Sequence, residues 1–107
     1  MAKIVAIVPD LMLGSRVSTA LEGAGHEVER AQAPPGDLAG VELVVADLDA
    51  IEPESLAELG PPVLGFYPHT DVEIKERADR VGMALAVPRS RMARELPELV
   101  ARLLGGA

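Results

Sequence analysis

The sequence predicts a three-layer α/β sandwich built on a five-stranded parallel sheet. Three observations carry that expectation. Apolar runs recur at Ile4-Val5-Ala6-Ile7-Val8, Leu43-Val44-Val45-Ala46, Val63-Leu64-Gly65-Phe66 and Ala84-Leu85-Ala86-Val87, and unbroken runs of this length suit strands buried on both faces. Between these runs the apolar period changes to that of helices. The two patterns alternate along 107 residues, a length that supports one hydrophobic core.

The elements follow in order. Ile4 to Val8 forms the first strand. Leu13, Val17, Ala20, Leu21 and Ala24 then fall on one face of a helix that Gly25 stops. His26-Glu27-Val28-Glu29-Arg30-Ala31 alternates and reads as an edge strand with one wet side. The stretch from Gln32 to Val41, with Ala33-Pro34-Pro35-Gly36-Asp37 inside it, is close to the minimum for a right-handed parallel crossover. A full helix does not fit, so the helix between strands two and three is expected to be shortened or absent. The sheet face beside the edge strand is then expected to be thinly covered, leaving an apolar patch as a candidate contact surface. Leu43 to Ala46 forms the third strand. Pro53-Glu54-Ser55-Leu56-Ala57-Glu58-Leu59 starts with proline in a first-turn position and predicts about two turns of helix. Val63 to Phe66 is the fourth strand. Thr70-Asp71-Val72-Glu73 has capping-box spacing, with the Thr oxygen accepting the amide three residues on. Ile74, Ala78 and Val81 line the helix that follows until Gly82. Ala84 to Val87 is the fifth strand. Met92, Leu96, Leu99, Val100 and Leu103 stripe a last helix, with Ser90 as its cap and Pro97 expected to bend it or to mark its true start. This succession in so short a chain points to the strand order 2-1-3-4-5 of the flavodoxin-like sandwich.

Composition removes several classes of function. The chain has 17 acidic and 10 basic residues, a formal net charge of −7, and the acidic excess lies in the first 60 residues. That balance repels phosphate backbones, and one Tyr, one Phe and no Trp supply no stacking platform for bases. Direct nucleic-acid binding is not expected. The absence of cysteine excludes disulfides, thiolate metal sites and thiol nucleophiles. Two histidines cannot form a His-rich metal site. No apolar stretch reaches the roughly 18 residues of a membrane span, and Met1-Ala2-Lys3-Ile4-Val5-Ala6 lacks a cleavable signal pattern. A cytoplasmic protein without membrane contact is expected.

In an open parallel sheet, ligands gather beyond the carboxyl ends of the strands. Here those ends are Pro9-Asp10, Asp47-Leu48-Asp49, Tyr67-Pro68-His69-Thr70 and Pro88-Arg89-Ser90. Asp10 and Asp47 end adjacent central strands, and two carboxylates there could hold a magnesium ion, which prefers oxygen ligands. With the metal present, Asp47 is the candidate phosphoryl acceptor. Tyr67, His69, Arg89 and Ser90 complete the candidate pocket, and the Arg89 guanidinium can bind phosphate or neutralise Asp47. Each has a plainer reading: Asp10 and Ser90 as helix caps, Tyr67 as core, His69 and Asp49 as loop residues. Gly14-Ser15 matches no glycine-rich phosphate loop.

Over nearly the whole chain, the sequence resembles the receiver domain of bacterial two-component response regulators. The resemblance rests on the order of elements. Lys3 to Asp10 is similar to the strand that ends in paired acids, and Glu42-Leu43-Val44-Val45-Ala46-Asp47-Leu48 to the strand that ends in the phospho-acceptor. Pro62 to Tyr67 resembles the fourth strand, and Val81-Gly82 through Arg89-Ser90 the fifth with its following Lys-Pro. The segment from Gly65 to Glu98 also resembles small receiver-like proteins of unassigned function. The resemblance implies a single receiver-like domain over residues 1–107. Four departures shape what it implies about function. Pro9 stands at the first paired acid, Tyr67 at the hydroxyl residue that holds the phosphoryl group, Arg89 at the lysine and Ala86 at the switch aromatic.

The resulting expectation is a stand-alone pseudo-receiver, a signalling module that acts by protein–protein contact and not an enzyme, with phosphorylation weak or absent. Its expected partner is another protein. Asp71, Glu76 and Asp79 could pair with Arg89, Arg91 and Arg94 across a two-fold axis, giving a homodimer, or form a solvated, salt-bridged surface. One alternative is a working phospho-acceptor that uses Asp47 and magnesium. A second is a binder or enzyme for a small anionic ligand, with Arg89, Ser90 and His69 on the anion.

Overall fold

The computed structural model describes residues 2–68 and 70–105. Five strands, β1 (Lys3–Ile7), β2 (Glu27–Ala31), β3 (Leu43–Asp47), β4 (Val63–Tyr67) and β5 (Leu85–Pro88), form one parallel sheet in the order β2-β1-β3-β4-β5. The helices among the described residues are α1 (Leu11–Gly23), α2 (Val72–Arg80) and α3 (Arg89–Leu103), with a single 3-10 turn at Pro53–Leu56. No helix among them is long and apolar enough to cross a membrane.

The alternation of side chains along each strand divides the core in two. Ile4, Ala6, Val45, Leu64, Phe66 and Val87 face α1 and α3, where they meet Val17, Leu21, Met92, Leu96 and Leu99. Val5, Ile7, Val44, Ala46, Val63 and Tyr67 face the opposite way, toward Leu48, Leu56 and Ala78. β1, β3 and β4 are buried on both sides, as their unbroken apolar runs require. β2 keeps Glu27, Glu29 and Arg30 exposed, as the edge strand of the sheet.

Five local expectations are corrected. No helix joins β2 to β3, yet the face beneath is not bare. Val5, Ile7, Val44 and Ala46 are each at most 1 % exposed, because the crossover itself lays Leu38 and Val41 against them. The two helical turns expected from Pro53 to Leu59 reduce to one 3-10 turn. Pro53 and Leu56 are its buried residues, a spacing of three that matches the 3-10 repeat. The cap of α2 is Asp71, one residue after Thr70: the Ile74 N–H donates to Asp71 Oδ1 at 3.1 Å. A carboxylate is a stronger acceptor than a hydroxyl at a helix start. α3 runs without interruption from Arg89 through Pro97. A proline inside a helix costs about 3 kcal/mol, which the burial of Met92, Leu96, Leu99 and Val100 offsets. Finally, Ser90 is not the cap of α3: Pro88 holds that position, with no side-chain bond.

Candidate functional site

The carboxyl ends of β1, β3, β4 and β5 converge on Asp10, Asp47, Tyr67 and Arg89. Asp47 is the last residue of β3 and is 4 % exposed. Its Oδ1 accepts the Asp49 N–H at 2.9 Å, closing the turn that leaves the strand. Its Oδ2 lies 3.7 Å from the Arg89 guanidinium, an ion pair beyond hydrogen-bond reach. Burial pushes the Asp47 carboxyl above its usual range; the Asp49 N–H and Arg89 pull it back, and the charges of Asp49 and Asp10 raise it further.

Asp10 has a structural task. Its Oδ1 accepts the Leu13 N–H at 2.8 Å and caps α1. The donor set offered to magnesium is therefore two carboxylates, each committed to a backbone N–H, with a guanidinium beside the free oxygen of Asp47. Among the described residues no group of three or more acids or histidines could hold a metal ion. A dication between them would share Asp47 Oδ2 with the Arg89 guanidinium, 3.7 Å away.

The remaining candidates separate. Tyr67 is 8 % exposed and packs with the α2 side of the core, so its ring belongs to the hydrophobic layer. His69 lies outside the described residues. Ser90 is exposed in the first turn of α3. On α2, Asp71 is spent on its cap, Asp79 pairs with Lys75 at 2.6 Å, and Glu76 is exposed. On α3, Arg91 and Arg94 reach Glu95 of the same helix at 3.4 and 3.8 Å.

Two arginines escaped the sequence reading. Arg77 reaches from α2 to Glu54 and Glu52 on the 3-10 turn. The Arg77 guanidinium holds the Glu54 carboxyl down at about 2. Only the three-dimensional approach of the two segments shows this, since 23 positions separate Arg77 from Glu54. Arg16 lines one cavity with Asp10 and Arg89. Its place beside Leu13 and Val17 on the α1 stripe was the available signal.

Solved structures share this fold. The chain superposes on a response regulator receiver domain protein from Clostridium thermocellum with a TM-score of 0.85, at 17% identity, covering 99% of this chain and 96% of that one. For the chemotaxis protein CheY4 of Vibrio cholerae the TM-score is 0.80, at 22% identity, covering 96% and 98%. This is the receiver-domain fold. NtrX from Brucella abortus, in complex with ADP, matches with a TM-score of 0.82 and 23% identity over 99% of this chain and 28% of that one. No protein-family model matches the chain, and no curated protein matches it in sequence. Within the receiver fold, this chain has one 3-10 turn between β3 and β4 and an irregular crossover between β2 and β3. Both depart from the regular alternation of strand and helix that the rest of the sheet follows.

Proposed function

We propose that this protein is a receiver-like signalling module that works through protein contact, with phosphoryl transfer to Asp47 weak or absent, and that it is not an enzyme. The observation that supports this reading is the environment of Asp47. The carboxylate is buried, one oxygen holds a backbone N–H and the other faces Arg89. Asp10, the other acid of the pocket, caps α1. A phosphoryl-driven switch needs groups that bind the modified state better than the unmodified one. Tyr67 is packed into the core, and Ala86 on β5 has no ring to reorient. The pocket is thus largely satisfied by its own residues, and the surface is left to carry recognition.

The test is an amide chemical-shift titration with magnesium, then with magnesium and beryllofluoride, a mimic of phosphorylated aspartate. The expected result is no saturable shift at millimolar magnesium and none on adding beryllofluoride. Shifts centred on Asp10, Asp47 and Arg89 that spread into β5 would overturn the proposal in favour of a phospho-acceptor. For self-association, the pairs within α2 and α3 favour a solvated surface over a two-fold exchange. Sedimentation resolves this: salt-sensitive dimers lost on Arg94→Glu establish the homodimer, whereas a salt-insensitive monomer removes it.

A further inference from the structure

One methionine fastens the end of α2 to the sheet. Gly82 turns with φ 78°, its N–H donates to the Asp79 carbonyl, and the Met83 N–H donates to the Ala78 carbonyl, each at 3.1 Å. In this helix ending, the residue two past the cap packs its side chain back against the core. The Met83 thioether does so over β4. The point a Cβ would occupy at Gly65 lies 2.5 Å from Met83 Sδ and 2.7 Å from Leu48 Cδ1, so sulfur and leucine share the space that the glycine leaves. Leu48 directly follows Asp47, is 3 % exposed, and donates its N–H to the Phe66 carbonyl at 2.8 Å. One side chain therefore joins the end of α2, the middle of β4 and the turn after Asp47. Met83 is also half-buried and lines a cavity of about 510 Å³ with Leu56, Val63 and Val81.

We infer that Met83 is a reversible redox modification site, oxidised to the sulfoxide by a hydroperoxide, and that the change releases the end of α2 from the turn at Leu48. The sulfur lone pair attacks one peroxide oxygen, the O–O bond breaks, and the other oxygen leaves as water. On return, two thiols give their electrons and protons, the sulfoxide oxygen leaves as water and a disulfide forms. Position separates Met83 from its counterparts. Met92 is 2 % exposed inside the helical layer, out of reach of an oxidant, whereas Met12 is 71 % exposed, so its oxidation disturbs little packing. Met83 is both reachable and packed. Glu58 on the cavity wall and the net charge of −7 favour a neutral oxidant over an anionic one. The consequence follows from the surroundings of the sulfur. A sulfoxide oxygen is a strong acceptor, and the layer around it is apolar, with Leu48, Leu56 and Ala78. The nearby N–H groups of Gly82 and Met83 are already spent on the helix end. An unmet acceptor is unfavourable there, so the oxidised side chain turns toward the cavity and vacates the space over Gly65.

This assignment is independent of phosphoryl chemistry at Asp47. Treatment of the protein with hydrogen peroxide, followed by peptide mass spectrometry and amide shifts, tests it. One added oxygen is expected on Met12 first and on Met83 next, with Met92 unchanged. Shifts at Leu48, Gly65 and Gly82 are expected to track the Met83 sulfoxide, with the thermal midpoint lowered by roughly 4 °C or more. Methionine sulfoxide reductases with a thiol are expected to restore the spectrum. Met83→Leu conserves volume and is expected to fold and to lose these shifts while Met12 still oxidises. Met12→Leu and Asp47→Asn are each expected to keep them. Full conversion of Met12 with Met83 untouched overturns the inference, as does a Met83 sulfoxide that leaves Leu48 and Gly65 unshifted. Shifts that persist in Met83→Leu place the effect elsewhere and overturn it too. A spectrum that the reductases fail to restore marks an oxidative lesion and overturns the reversible site.

Discussion

The two faces of the sheet are buried to the same degree by different means. On one, α1 and α3 lay 13 and 15 residues of helix over Phe66, Leu64 and Ile4. On the other, an irregular crossover, one 3-10 turn and the nine-residue α2 cover Val5, Val44 and Ala46. A buried side chain needs neighbours rather than a helix, and a loop that turns Leu38 and Val41 inward supplies them. The thin face compensates with small residues. Gly65 lies so close to Met83 and Leu48 that an added Cβ would sit 2.5 Å from Met83 Sδ and 2.7 Å from Leu48 Cδ1, so this part of the cover approaches the sheet only because β4 has no side chain there. It is also tied at its outer edge, where Arg77 joins α2 to Glu54 and Glu52.

The difference is sharpest in the response to lost volume. Phe66→Ala on the helical face is expected to cost about 3–5 kcal/mol, because two packed helices relax little into the cavity. Leu56→Ala under the 3-10 turn is expected to cost about 2 kcal/mol, since a single turn can settle inward. Urea denaturation of both variants measures the pair, and equal losses would break the contrast between the faces.

A smaller effect belongs to the pocket between the faces. The raised Asp47 carboxyl binds its proton more tightly folded than unfolded, so its contribution to stability falls as pH climbs from 3.8 through the raised value. Asp47→Asn keeps the acceptor for the Asp49 N–H and removes the buried charge. A gain in stability is expected at pH 7, shrinking toward zero below pH 3.8. On the helical face Ser18 is buried on α1 with an unpartnered hydroxyl. Ser18→Ala is therefore expected to stabilise by about 0.5 kcal/mol, read from the shift of the thermal midpoint.

The smallest global effect comes from the clamp. Arg77→Ala is expected to leave global unfolding almost unchanged, because its ion pairs are exposed. Amide exchange over residues 48–59 should nonetheless accelerate, and unchanged exchange would show that the thin face needs no tie. The pH sign is opposite to that of Asp47. Glu54 sits at about 2 when folded, so the support it lends is present above the ordinary carboxylate range and disappears as pH falls from 4.5 toward 2.

Much of this molecule was legible as a one-dimensional pattern. The unbroken runs around Val5, Val44 and Leu64 marked strands buried twice over, the alternation at Glu27–Ala31 marked the edge, and the shortness of the crossover excluded a full helix there. Asp10 and Asp47 were placed at the same end of the sheet for the same reason: strand order and strand ends follow from periodicity and connection length. The tertiary structure decided what those residues do. A continuous α3 through Pro97 depended on the sheet surface available to Met92 and Leu99, and the filling of the face beside β2 depended on how a flexible crossover folds back. The convergence of Arg16 and Arg89 on one cavity and the reach of Arg77 to Glu54 are fixed by distances of a few ångströms between groups far apart in the chain. Periodicity is a local property and carries no such distances, so the sheet and the capping role of Asp10 were readable from sequence while long-range partners such as those of Arg77 were not.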